Sequence, residues 1–220
     1  MIRQVARYLR KVLQTHKSLR GLFPTARELL VARGIGSVAV PSGSAVLVIG
    51  SGDDPYSEVC VNPSLYACID LVPRFRRTHA VANAETLPFR SNQFGVAIGT
   101  ELLEHCKDPA AVVREVHRCL APGGVAVFTV PFMFHVHADP HDFTRFTPEG
   151  LGVLFHEFEM CDVLPQGGRV HVISDLITTA WSPLPVFLPL RVFNHALLFL
   201  PKWLQAHSTA PSGFMITARK

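Results

Sequence analysis

Five consecutive apolar residues, Ala45-Val46-Leu47-Val48-Ile49, run directly into Gly50-Ser51-Gly52. A strand that faces water on one side alternates apolar and polar residues. A strand apolar at every position needs cover on both faces, as in the middle of a parallel sheet with helices on either side. The rest of the chain fits that frame. Further strands are predicted at 65–70, 80–82, 94–99 and 124–130, with a last strand at 213–218. Helical spacing predicts helices over 25–33, with Pro24 in the first turn and Gly34 as the stop, over 109–120 and over 147–155. Pro122-Gly123-Gly124 reads as the turn into the next strand. Strands alternating with helices give an α/β fold on a mostly parallel sheet.

The chain has 220 residues, room for one domain with an appendage. We read residues 1–220 as a single domain: a basic helical cap over 1–40, a core over 41–171, a hydrophobic insert over 172–207 and a last strand over 208–220. Apolar residues make up 48% and charged residues 17%, which excludes a disordered chain. The longest proline-free apolar stretch near the C-terminus, 190–200, is about half of the roughly 20 residues that span a bilayer, and it contains Arg191. Charge is uneven. Residues 1–35 hold eight Lys and Arg against the single acid Glu28, while the other 185 residues carry 13 positive and 16 negative charges. Ile2, Val5, Leu9, Val12 and Leu13 give the arm an apolar helical face opposite its basic one. An arm of that kind suits a membrane surface, nucleic acid or another subunit, or is a solvated helix face. The five cysteines are odd in number and have no C-x-x-C spacing, so neither a disulfide framework nor a zinc site is indicated. With no apolar leader at the start, the expected compartment is the reducing cytoplasm.

A glycine turn directly after a first parallel strand lets a ligand approach the backbone. About 20 residues on, Asp70 ends the next strand, where an acid can accept both hydroxyls of a ribose. A pyrophosphate fits poorly, because the dinucleotide fingerprint wants Gly or Ala where Pro55 stands. Asp53 and Asp54 would also repel phosphate. They suit a ligand with a positive centre, such as the sulfonium and ammonium of S-adenosylmethionine.

These motifs continue in order through Ala84-Glu85-Thr86-Leu87-Pro88-Phe89, Gln93-Phe94-Gly95-Val96, Leu103-Glu104-His105, Asp108-Pro109, Arg114-Glu115, Leu120-Ala121-Pro122-Gly123-Gly124 and Thr129-Val130-Pro131. As a set, over residues 45–160, the chain resembles the class I S-adenosylmethionine-dependent methyltransferases of the small type 11 kind. The string from His137 to Thr147 and the turn Gly50-Ser51-Gly52-Asp53-Asp54-Pro55-Tyr56 look like a subgroup with the form G-x-G-x-x-P-Y, associated with surface glycans or secondary metabolites. The resemblance implies a Rossmann-like sheet with an antiparallel last strand. It implies cofactor binding by Gly50, Ser51, Gly52, Asp53 and Tyr56, ribose binding by Asp70 beside Leu71, and adenine flanked by Asn83 and Ala84. Glu101 would face the methyl-donor side. The family usually has an acid two residues before the first glycine; this chain has Val48.

Three further features bear on chemistry. Glu101, Glu104 and His105 are spaced i, i+3 and i+4, so a helical turn would set them on one face. They could hold Mg²⁺ or Mn²⁺ and lower the pKa of a substrate hydroxyl. The pattern is similar to the metal site of ubiquinone-pathway O-methyltransferases and of small-RNA 2′-O-methyltransferases. The other reading leaves Glu104 and His105 as loop residues, with His105 or His141 as the proton acceptor. The second feature is the loop carrying His135, His137, His141, Asp142 and Arg145, which follows the strand ending at Val130 and so sits where open α/β sheets bind ligands. His137, Asp142 and Arg145 are candidate acceptor contacts; Asp142 and Arg145 could equally hold the loop as an ion pair. The third is the insert, where Trp181, Trp203, Arg191 and Lys202 could anchor at a membrane face, cover the acceptor or meet another subunit.

The expectation is methyl transfer from S-adenosylmethionine to a hydroxyl of a small molecule, sugar or lipid-linked glycan. Peripheral contact with the inner membrane face and an oligomer remain open. Two other classes compete: a non-catalytic or partner-dependent relative, and an RNA methyltransferase using the arm. Only Tyr8 and Phe23 lie near the arm to stack on bases, which disfavours nucleic acid.

Overall fold

The computed structural model describes residues 23–50, 59–72, 78–137, 141–180, 188–200 and 210–220. The basic helix over 2–16, Trp181, Trp203 and Lys202 lie outside the described residues, as do Ser51, Gly52, Asp53 and Tyr56 of the glycine turn.

Among the described residues, seven strands form one sheet in the order β3-β2-β1-β4-β5-β7-β6. They are β1 (Ala45–Ile49), β2 (Leu65–Asp70), β3 (Ala80–Val81), β4 (Phe94–Thr100), β5 (Leu120–Pro131), β6 (Met160–Gln166) and β7 (Gly213–Arg219). β1 to β5 pair in parallel, and β7 runs antiparallel between β5 and β6. This is the expected mostly parallel sheet with its reversed last strand. The all-apolar β1 serves two cores. Leu47 and Ile49 pack in one cluster with Val112, Val113 and Val116 of α2 (Pro109–Cys119). Val46 and Val48 pack in the other with Val31 and Ile35 of α1 (Ala26–Gly36). The remaining helices are α3 (Pro148–Leu154), α4 (Arg169–Thr179) and the short α5 (Asn194–Leu197), and single 3-10 segments cover Leu103–His105 and Leu188–Phe193.

Local differences from the sequence expectation have physical causes. α1 starts one residue later than Pro24 suggests, because Thr25 caps it in a reciprocal box with Glu28. It also runs through Gly34 to Gly36. Gly34 is a packing residue, since a Cβ there would lie 2.4 Å from Gln166 Nε2. The Pro122-Gly123-Gly124 turn sits inside β5 rather than before it. Pairing jumps from Phe94↔Leu120 to Val96↔Val125, and Gly123 adopts φ +75° at the bulge. α4 begins before residue 172, so the expected insert boundary falls within a helix. Its exposed face carries Ile173, Leu176 and Ile177. Among the described residues, no helix is long and apolar enough to cross a membrane.

α4 also fixes the start of α1. The carboxylate of Asp175 accepts from the backbone N–H of Ala26 at 2.7 Å and of Arg27 at 2.9 Å. Burial pushes this carboxyl up from 3.8 to about 6 despite those two bonds. The folded chain therefore holds the proton more tightly than the unfolded chain. As pH rises from about 4 to about 6 the unfolded chain deprotonates first, and stability should fall by on the order of 3 kcal/mol. Urea titrations across that range are expected to show the slope in wild type and a flatter dependence in Asp175→Asn. At the sheet centre, Gly99 lies opposite Phe128, and a Cβ would approach that ring to 2.4 Å. Gly99→Ala should destabilise the protein by about 1–3 kcal/mol in the same assay.

Candidate active site

The carboxyl ends of β1, β2 and β4 open into a cavity of about 550 Å³. Gly50 lines it with φ +65°, which a side chain would disfavour, and its N–H donates to the Ile69 carbonyl at 2.9 Å. Asp70 ends β2 at the same rim, with Oδ1 accepting from Val72 N–H at 3.0 Å and so fixing the carboxylate. Leu71, Asn83 and Ala84 continue the wall. Asn83 Oδ1 accepts from Glu85 N–H at 2.9 Å, and Glu85 Oε1 accepts from the N–H groups of Lys107 and Asp108, each at 3.1 Å. Among the described lining residues, Asp70, Glu85 and Glu101 stand with Lys107, and Glu101 is paired with Arg27.

Glu101 follows β4 in the left-handed region, φ 48°, which is uncommon for a residue with a side chain and costs on the order of 1–3 kcal/mol. Its N–H donates to the Thr129 carbonyl at 2.9 Å. Its carboxylate takes a two-point bond from Arg27, Nη2 to Oε1 at 2.6 Å and Nε to Oε2 at 3.1 Å, and accepts from Thr129 Oγ1 at 3.0 Å. Arg27 is 2% exposed. Its remaining donors reach Gln166 Oε1 at 2.8 Å and the Val130 carbonyl at 2.9 Å. The sequence offers Arg27 only as one of the basic residues of the arm. The signal available was its place beside the Thr25 cap, in the first turn of an amphipathic helix, where a basic residue is unusual.

The left-handed turn also corrects the expected shared face of Glu101, Glu104 and His105. Glu101 leaves for Arg27, and His137 joins the other two instead. Ligating atoms of Glu104, His105 and His137 lie within 4.8 Å of one another. Glu104 is fully buried, and neither carboxylate oxygen has a hydrogen-bond partner. Burial, then the charge of Glu101, raises its carboxyl well above the usual range. Its Oε1 lies 3.5 Å from His105 Nε2 and 3.9 Å from His137 Nε2. Each imidazole has a carbonyl at Nδ1, that of His141 for His105 and that of His135, at 3.3 Å, for His137. A carbonyl only accepts, so both Nδ1 atoms carry hydrogen, and each ring, when neutral, turns an Nε2 lone pair toward Glu104. With both rings neutral and the carboxylate ionised, three acceptors would converge on one point, an arrangement that needs a proton or a cation among them. Burial, then the neighbouring His105, lowers the pKa of His137, keeping it neutral at pH 7.

Of the expected acceptor contacts, His137 lines the cavity, while Asp142 and Arg145 do not. They form an ion pair within the loop: Arg145 donates through Nη1 to Oδ1 and through Nη2 to Oδ2 at 2.7 Å, and Asp142 Oδ2 also accepts from His137 N–H at 3.0 Å. This holds the Asp142 carboxyl down at about 2. His141 lines the cavity beside Phe143 and sets the His105 tautomer through its carbonyl.

Residues 43–128 match the family model described as a methyltransferase domain, of type 11. A ubiquinone biosynthesis O-methyltransferase of Pseudomonas paraeruginosa is 32% identical over 97 residues, 44% of this chain and 35% of that one. The chain therefore spans about a third of the length of that relative. Among solved structures, a SAM-dependent methyltransferase from Archaeoglobus fulgidus superposes with TM-score 0.60 at 16% identity, over 91% of this chain and 97% of that one. The [4+2]-cyclase SpnF does so with TM-score 0.58 at 19% identity, over 87% and 79%. At such identities the likeness is one of fold. The matched segment runs from β1 into β5, and the whole sheet with its reversed strand has the fold of these solved structures.

Proposed function

We propose that the protein transfers the methyl group of S-adenosylmethionine to an oxygen of a small acceptor. The observation that carries this reading is the cavity with Asp70 at the end of β2, next to the turn at Gly50. The residues suit the cofactor: Asp70 can accept from both ribose hydroxyls, and the Asn83 amide can meet the adenine edge. The acids of the lining favour a sulfonium and an ammonium over a phosphate. When bound, the cofactor supplies an electrophilic methyl group. The chain holds the two reactants in line and receives a proton.

The proton acceptor in this reading is the cluster of Glu104, His105 and His137. His137 is neutral at pH 7 and its tautomer leaves Nε2 free of hydrogen. A hydroxyl is a poor nucleophile while it keeps its proton, so a cluster of this kind favours oxygen over an amine acceptor. The relative's name, a ubiquinone biosynthesis O-methyltransferase, points the same way.

A second reading fills the cluster with a divalent ion, which the 4.8 Å grouping favours. Two imidazoles and one carboxylate suit Mn²⁺, Fe²⁺ or Zn²⁺ better than Mg²⁺, which prefers oxygen ligands. Glu104, His105 and His137 would hold it, and it would acidify the acceptor hydroxyl.

Calorimetry with S-adenosylmethionine tests the cofactor site. Wild type should bind, and Asp70→Ala should weaken binding by about 10- to 100-fold, the loss of charge-assisted hydrogen bonds of roughly 1.5–3 kcal/mol. Unchanged affinity would remove Asp70 from the site. Turnover after dialysis against EDTA separates the two uses of the cluster. Retained turnover that falls by about 10²-fold or more in Glu104→Gln assigns it to the proton. Turnover lost and then restored by Mn²⁺ assigns it to a metal.

A further inference from the structure

The 3-10 segment Leu188–Phe193 and α5 pack on α4 with an inverted pattern of burial. Their polar side chains point inward: His171, Asp175, Arg191 and Asn194 are all buried. His171 accepts from Gly168 N–H through Nδ1 at 3.1 Å, so its Nε2 donates to the Leu197 carbonyl, at 3.2 Å. Ser174 Oγ donates to Asn194 Oδ1 at 2.6 Å, and Asn194 Nδ2 donates to the Pro24 carbonyl at 3.0 Å. These bonds tie the three segments to one another and to the start of α1. Their apolar side chains face outward. Ile173, Leu176 and Ile177 lie on the opposite face of α4 and are about half exposed, while Val192, Phe193 and Phe199 are 55%, 66% and 85% exposed. Single exposed apolar residues are ordinary. Six of them on one packed unit that turns its polar groups inward mark a contact surface. Thr179 of α4 and Arg191 also line a second cavity, of about 540 Å³, which shares Glu101 and His137 with the first, so this surface adjoins the site.

Charge indicates what covers the surface. From Val163 to Lys220 the sequence holds five Lys and Arg and a single acid, Asp175, which is buried and bound to the first N–H groups of α1. The segment thus presents no exposed acid. Arg33 is exposed at its edge and donates to the Leu198 carbonyl at 2.6 Å, beside Phe199, and Arg169 is exposed at the start of α4. Residues 1–22, with six Lys and Arg and no acid, join the domain at Phe23, whose carbonyl accepts from Arg191 at 3.4 Å. Pairing this face with a second copy would bring like charges together, with no acid of the segment to separate them. An anionic lipid surface complements both features, with headgroups for the cations and acyl chains for the apolar side chains.

We infer that α4, the 3-10 segment and α5 dock on one leaflet of a membrane rich in anionic lipid, with Ile173, Leu176, Phe193 and Phe199 in the interface. Docking of this kind does not depend on the reaction the site performs. The test is flotation of the full chain with vesicles of phosphatidylcholine alone and of phosphatidylcholine and phosphatidylglycerol in equal parts. The triple variant Ile173→Ser, Phe193→Ser, Phe199→Ser removes apolar surface from exposed positions, and Phe199→Asp alone changes the most exposed of them. Melting followed by circular dichroism checks that each variant is folded. Wild type should float with the mixed vesicles and bind phosphatidylcholine alone at least about tenfold more weakly. The triple variant should bind the mixed vesicles at least about tenfold more weakly, and Phe199→Asp about threefold or more, with melting unchanged. The proposal is overturned if wild type does not float with the mixed vesicles, if it binds both vesicle types equally, or if the folded variants bind as wild type does. A wild-type dimer in light scattering that the triple variant converts to monomer, with no vesicle binding, overturns it in favour of a second copy.

Discussion

The guanidinium of Arg27 is the point on which the site depends. A buried cation is tolerated only where its donors are met, and here they are met by three separate strands: Glu101 after β4, the Val130 carbonyl of β5 and Gln166 at the end of β6. The helix that brings Arg27 there is itself tied by Asp175 of α4, which accepts from the first N–H groups of α1. One side chain thus joins the cap helix to the sheet. It also keeps Glu101 in a left-handed conformation that the isolated chain would avoid. Removing one partner of such a pair costs about 3–5 kcal/mol, because the other charge stays buried. Part of that cost would appear as a displaced wall between the two cavities.

The sheet was legible because its signals are local. β1 is apolar at all five positions, and this alone demands cover on both faces; the two cores that flank it are formed as that demand requires. Asp70 was legible for the same reason, as an acid at the end of the next strand. What escaped depends on contacts between distant segments. Arg27 and Glu101 are 74 residues apart, and nothing in either neighbourhood names the other. The shared face assumed for Glu101, Glu104 and His105 failed at a single backbone angle, which spacing cannot reveal. Gly34 looked like a helix stop because glycine often is one, whereas here it makes room for Gln166, 132 positions further on. Asp142 and Arg145 had two equal readings, and the ion pair within the loop accounts for their polar atoms.

The site divides its electrostatics among three compartments. Among its described lining residues, the first cavity presents Asp70 and Glu85 beside Lys107, which suits a cationic ligand. The described lining of the second sets Arg27 and Arg191 against Glu28 and Glu101 beside the apolar face of α1. Next to His137, which lines both, Glu104 is a carboxyl with no hydrogen-bond partner, held beside two imidazoles whose Nδ1 atoms each meet a carbonyl. A group of that kind is costly in a folded protein unless it exchanges a proton or holds a cation.

This division carries more of the functional argument than the fold does. A structure described as a [4+2]-cyclase shares this fold as well as a methyltransferase does, so the sheet by itself does not choose a reaction. The choice falls to groups at the wall between the cavities. A site that only shaped an apolar reactant would have no use for a buried carboxyl whose pKa is raised, and filling that volume with apolar side chains would be the more stable solution. The convergence of Glu104, His105 and His137 instead suits a reaction that releases a proton inside the protein. Methylation of an oxygen by a sulfonium is such a reaction, since the hydroxyl must lose its proton as the new bond forms.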